Sequence, residues 1–329
     1  MSHQEMPLYE AISLACMNRI SEFSVQDLTS SAWRFATLRM RSPSLVDAIS
    51  WGIQQRVAQF VSRDIAGTLW ALAKIESKDR PLMDLIAGHA LNPLVLDQFK
   101  PQDCSATAWA MTRLAHHSPL LTHLMERVKS QIHHFNSQDI SNTAWASARL
   151  LIRDTQLWQT LCSAAKESMK DFAPQKISNT TWACSTIEAF DRALFEAAAS
   201  HGIPKLAAFS AQDKANSVWS FGKQEFLHLP FMDTVAEESL RHVHEYTHQH
   251  TSNIGWAFTK LLVHNGPLMT ALLMRIRAEI SEAQAQTLSS MVWSLARLAI
   301  RETSFVASAT SAAHQRLGEF GAQEISNSS

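Results

Sequence analysis

The segment Phe135-Asn-Ser-Gln-Asp-Ile-Ser-Asn-Thr-Ala-Trp-Ala-Ser-Ala-Arg-Leu150 decides how the chain is read, because its tryptophan lies on a ruler. Trp33, Trp70, Trp109, Trp145, Trp182, Trp219, Trp256 and Trp293 follow at intervals of 37, 39, 36, 37, 37, 37 and 37 residues. Self-similarity at a fixed period of this size marks a repeat architecture. Ten residues before each tryptophan stands Phe23, Phe60, Phe99, Phe135, Phe172, Phe209 or Tyr246, with Ala283 the exception. Seven before it stands Gln26, Gln102, Gln138, Gln175, Gln212, Gln249 or Gln286, with Arg63 replacing glutamine once. Twelve after it a second apolar stretch opens, at Leu45, Leu82, Leu157, Leu194, Phe231 and Leu268, and one residue early at Leu120.

Each unit reads as two helices. The first runs from the glutamine to a leucine or isoleucine beyond the tryptophan, with apolar residues at helical spacing. The second is often opened by proline (Pro43, Pro81, Pro119, Pro267), which suits a first helical turn. Two short helices cannot bury their apolar faces alone, so neighbouring units must stack. The expected fold is all-α, a right-handed α-solenoid of two-helix repeats with one continuous core. Residues 1–22 are expected to hold the second helix of a truncated repeat, 23–319 eight tandem repeats, and 320–329 the start of a truncated ninth. The chain then reads as an excerpt of a longer array. The offsets place a two-residue insertion near Leu91, Asn92 and Pro93 and a one-residue deletion near His117 and Ser118.

Composition agrees. The 329 residues include only 9 Gly and 10 Pro, too little turn chemistry for a many-stranded fold. Cys16, Cys104, Cys162 and Cys184 form no CxxC pair and suggest reduced thiols. No apolar run is long enough to span a membrane, and no targeting segment is recognisable. With 29 Lys+Arg against 30 Asp+Glu the net charge is −1, so any nucleic-acid footprint must be local.

With the tryptophan at 0° on a wheel of 100° per residue, the recurring apolar positions fall between about 140° and 300°. The tryptophans border that arc and are expected to be core anchors rather than stacking platforms. Three before the tryptophan stand Ser30, Gly67, Ala106, Asn142, Asn179, Asn216, Asn253 and Ser290. Four after it stand Thr37, Lys74, Arg113, Arg149, Thr186, Lys223, Lys260 and Arg297. Stacking would turn these positions into a ladder, a row of small or amide side chains beside a row of cations. Cations neutralise phosphates, and asparagine, with donor and acceptor, reads a base edge. The base-reading candidates are therefore Asn142, Asn179, Asn216, Asn253, Ser30 and Ser290. The phosphate-binding candidates are Lys74, Arg113, Arg149, Lys223, Lys260 and Arg297. The same residues would also suit a merely solvated helix face, with Lys and Arg near a helix C-terminus and Asn or Ser near its start.

The quoted segment and Ala173-Pro-Gln-Lys-Ile-Ser-Asn-Thr-Thr-Trp-Ala183 resemble the octotricopeptide and heptatricopeptide repeats, over residues 23 to 319. Their first helix carries a Pro-Gln-x-Leu-(Ser/Ala)-Asn-x-x-Trp-Ala-x-Ala pattern, and the period sits closer to the heptatricopeptide form. The resemblance implies an α-solenoid that binds RNA in mitochondria or plastids, in transcript processing, stability, translation or ribosome assembly, alongside proteins of a ribonucleoprotein complex. The family's Asn falls on Asn142, Asn179, Asn216 and Asn253. Arg63 and Gly67 depart from the pattern in repeat two, and the RAP domain often found in the family is absent from this sequence.

His244-Glu-Tyr-Thr-His248 matches the HExxH zinc-protease pattern by letter, but it crosses the junction between two repeats, with Tyr246 at the buried aromatic position. His116, His117, His133 and His134 fall at expected helix ends, to be solvated or capping. No phosphate loop or nucleophile elbow is present, so neither catalysis, a metal site nor a cofactor is expected. Binding of single-stranded RNA is the leading expectation, and a protein-interaction scaffold on the same surface is the alternative.

Overall fold

A computed structural model describes residues 6–38, 42–77, 79–319, 321–322 and 325–326. Among them are 18 α-helices and no strand. The chain groups into two compact units, Met1–Thr160 and Leu161–Ser329.

In the first unit the tryptophan-bearing helices are α2 (Val25–Thr37), α4 (Ser62–Ile75), α7 (Pro101–Arg113) and α9 (Ser137–Arg149). The helices between them are α1 (Met6–Arg19), α3 (Pro43–Gln54), α5 (Arg80–Ala90), α6 (Pro93–Leu96) and α8 (Leu120–Gln131). Successive first helices pack on one another (α2 on α4, α4 on α7, α7 on α9), and so do second helices (α1 on α3, α3 on α5, α5 on α8). Helix α10 (Thr155–Ser168) carries the unit boundary. The second unit repeats the two layers. Its first helices are α11 (Pro174–Thr186), α13 (Ala211–Lys223), α15 (His248–Lys260) and α17 (Ala285–Arg297). Its second helices are α12 (Arg192–Gly202), α14 (Leu229–His242), α16 (Gly266–Ala278) and α18 (Thr303–Gln315). Helix α1 and the 3₁₀ turn Ile20–Glu22 occupy the stretch expected to be a lone second helix. Six of the ten residues expected to start a ninth repeat lie outside the described residues.

Local chemistry fixes each joint. Most second helices end in a short 3₁₀ turn, after which the aromatic ten before the tryptophan turns extended and buries its ring. Phe60, Phe99, Phe172 and Tyr246 are fully buried. The first helix then starts on a cap: Ser24, Asn136 and Ser210 each accept from the backbone N–H three residues on, where Asp27, Asp139 and Asp213 reciprocate. Repeat two departs where the insertion was expected: α5 stops at Ala90, and α6, capped by Asn92, replaces the 3₁₀ turn.

The first helices end alike. The residue six after the tryptophan is left-handed in seven repeats (Glu76, Ala115, Leu151, Glu188, Glu225, Leu262 and Ala299, φ 51° to 63°), and none is glycine. The next N–H bonds back five residues, as Ile152 does to the Ser147 carbonyl at 2.9 Å and Val263 to the Phe258 carbonyl at 2.8 Å. That bond satisfies an orphan carbonyl of the helix end and redirects the chain into the second helix.

Basic side chains tie the second half of four repeats back to the carbonyl ten residues before that repeat's own tryptophan. Arg127 donates to Phe99 at 3.3 Å, Lys205 to Phe172 at 2.8 Å, Arg275 to Tyr246 at 3.0 Å and Arg316 to Ala283 at 2.8 Å. Ser105 Oγ adds a buried bond to Asp139 at 2.7 Å, and Ser62 Oγ one to Asp103 at 2.9 Å.

Candidate nucleic-acid interface

The positions seven and three before the tryptophan, the tryptophan itself and the position four after it share one face of each first helix. In the first unit part of this face is concave. A groove of about 1140 Å³ is lined by Arg63, Gln102 and Gln138, by Gly67, Ala106 and Asn142, and by Trp33 and Trp70.

The tryptophans are not core anchors, which corrects the expectation drawn from the helical wheel. None of the eight is buried, and Trp33 is 49% exposed. They sit at the edge of the packed arc, partly covered and partly open to solvent. Trp33 stacks on Trp70 with ring centroids 6.1 Å apart, Trp109 meets Trp145 at 6.4 Å, and Trp219 meets Trp256 at 6.3 Å. The core is filled instead by the aromatics and by the leucines that open the second helices; Leu82, Leu120, Leu157 and Leu194 are wholly buried.

Ser30, Asn142, Asn179, Asn216, Asn253 and Ser290 are all half-buried. Among the described residues, no protein group bonds the side-chain amides of the four asparagines. Their donors and acceptors face the surface unspent.

The cationic row divides in two. Arg113, Lys223 and Lys260 each reach back to the left-handed glutamate of the preceding repeat: Glu76 at 3.3 Å, Glu188 at 3.5 Å and Glu225 at 2.7 Å. Hydrogen bonding to Lys260 holds the Glu225 carboxyl below its ordinary range. Where the preceding turn residue is Ala115 or Leu262, no such partner exists, and Arg149 and Arg297 have no carboxylate partner among the described residues. Lys74 lies instead against two indoles, its ammonium 5.2 Å from the Trp70 centroid and 5.5 Å from that of Trp109. Sequence reasoning missed this split, though the glutamate 35 or 37 residues ahead of the cation was visible in each pair.

The histidine motif does not lie in one continuous helix. His244 lies in the 3₁₀ turn Val243–Glu245, Tyr246 is extended with its hydroxyl donating to Ser239 at 2.9 Å, and His248 opens α15. Among the described residues, no group of three or more His, Cys, Asp or Glu is placed to hold a metal ion. His116, expected at a solvated helix end, is instead buried after the α7 turn, and burial lowers its pKa despite Asp84 at 3.4 Å.

Stacked two-helix repeats with an aromatic, amide-lined groove define a helical-repeat protein. The family model described as RNA-editing substrate-binding complex 6 protein matches the chain twice, over residues 4–155 and 152–304, and the chain belongs to that family. No curated protein matches it. Among solved structures, a homology model of the full-length AP-3 complex in an intermediate open conformation aligns over 99% of this chain and 80% of that one, at 9% identity and a TM-score of 0.29. That likeness is too remote to bear on function. No described helix is long and apolar enough to cross a membrane.

Proposed function

We propose that this chain is a non-catalytic RNA-binding α-solenoid that holds single-stranded RNA along the shared face of its first helices. The observation that carries the reading is the groove of the first unit, where Asn142 with Gly67 and Ala106, the glutamines Gln102 and Gln138, and the indoles of Trp33 and Trp70 line one concavity. Its contents suit unpaired nucleotides: indoles offer stacking surfaces, and unspent amides offer base-edge contacts. The family's description, which names RNA editing and substrate binding, supports it.

Electrostatics orient the strand across the face. Five of the eight first-helix N-termini already carry a carboxylate: Asp27, Asp64, Asp103, Asp139 and Asp213 each accept from the backbone N–H three residues earlier. Phosphates are repelled from those five ends. They belong at the C-terminal end, over Lys74, Arg149 and Arg297, with bases directed toward the amide row.

By its resemblance to the octotricopeptide and heptatricopeptide proteins, the chain acts in organellar RNA processing, stability, translation or ribosome assembly, in a mitochondrion or plastid, within a ribonucleoprotein complex. A protein-interaction scaffold is the second reading, favoured by the near-zero net charge and by the three cations already paired with glutamates. Fluorescence anisotropy with a randomised single-stranded RNA pool tests the choice. Binding that duplex RNA does not compete, and that weakens in an N142A/N179A/N216A/N253A variant, is expected; absence of binding at low salt selects the scaffold.

A further inference from the structure

One interval of the first unit differs from its neighbours, and several independent features converge there. Trp33 pairs with Trp70, and Trp109 with Trp145, whereas between Trp70 and Trp109 the Lys74 ammonium lies against both rings. The small side chains of the reading row, Gly67 and Ala106, belong to these two repeats and line the groove. A Cβ on Gly67 would meet no heavy atom within 4 Å, so the space above it is open. The glutamine row is also broken here, by Arg63, which lies on the same face two turns before Trp70 and lines the same groove.

We propose that this interval is a nucleotide slot for one unpaired guanine. It rests on the RNA reading above and adds a base identity at one position. The flat base lies over the open space at Gly67 and takes the place beside the Trp70 indole that Lys74 now holds. A guanidinium is donor-only, so Arg63 fits a base edge with two adjacent acceptors, which guanine provides at O6 and N7. Adenine sets an amino donor beside N7 and is rejected, and uracil covers less of the indole. Lys74 exchanges its weak contact with the two rings for the nucleotide's phosphate. Arg63 and Gly67 depart from the repeat pattern in a way that weakens amide recognition; together with the open space they make a different reader.

The test uses the full chain and oligouridine strands carrying one central guanine, adenine, 7-deazaguanine or no substitution, with the randomised pool as a control. Wild type is expected to prefer the guanine strand by about tenfold, as a bidentate contact provides, and to lose most of that preference with 7-deazaguanine. Arg63→Gln is expected to abolish the preference, so that the variant binds the guanine strand no better than oligouridine. Gly67→Phe is expected to fill the slot and remove the guanine advantage without lowering Tm, because a helical glycine is replaced by a better helix former facing open space. Equal binding of all strands by wild type, or an unchanged guanine preference in both variants, overturns the slot and leaves the RNA reading standing. Failure of wild type to bind the pool overturns both.

Discussion

Lys260, in the last turn of α15, donates to the Glu225 carboxylate at 2.7 Å, tying one first helix to the left-handed turn residue of the repeat before it. An exposed pair of this kind contributes little to stability, being screened by solvent. It therefore yields to a phosphate but competes with it. Glu225→Gln together with Glu188→Gln frees Lys260 and Lys223, and is expected to raise affinity for single-stranded RNA a few-fold at low salt. Unchanged anisotropy titrations would place the strand elsewhere.

The left-handed turn residues predict a stabilising exchange. A non-glycine residue in this region carries about 1–2 kcal/mol of strain, partly offset by the entropy glycine loses on folding. Leu151 has φ 54° and is 62% exposed, so its removal sacrifices little burial. Leu151→Gly is expected to stabilise the fold by roughly 0.5–1 kcal/mol, read as a higher urea midpoint; a lower midpoint would show that the Leu151 side chain packs.

Aromatic roles separate by position. Phe172 is wholly buried, and Phe172→Ala is expected to cost about 3–5 kcal/mol. Trp33 is half exposed, and Trp33→Ala should cost well under half of that. Denaturation curves with the opposite ranking would return the tryptophans to the core.

His116 sets a pH dependence. Burial lowers its pKa below the ordinary 6.5, so the unfolded chain binds the proton first. The contribution is whole above 6.5 and is lost as pH falls through the folded value. His250, also lowered by burial, acts in the same direction. Urea midpoints should fall between about pH 7.5 and 5.5, and His116→Gln should flatten the slope.

The helix pairs, the buried aromatics and the irregular joint after Ala90 were legible because each follows from spacing: a period of 37 fixes stacking, and an offset change fixes an insertion. The tryptophans misled because they lie on the margin of the apolar arc, where composition indicates core and only the position of the adjacent helix decides exposure. The left-handed turns were invisible because Glu76, Ala115 and Leu151 stand where glycine usually announces the conformation. The cationic row looked uniform because a helical wheel shows one repeat at a time, while the glutamates that neutralise half of it come from the repeat before.

The most direct measurement is the salt dependence of single-stranded RNA binding by wild type and by a K74A/R149A/R297A variant. These three cations have no carboxylate partner among the described residues, and removing each phosphate-binding charge should flatten the log–log slope by about 0.7. A slope shallower by roughly 2 in the variant, with Tm unchanged, is the result expected if RNA follows this face. Identical slopes in the two proteins, or no binding by wild type at low salt, would contradict it.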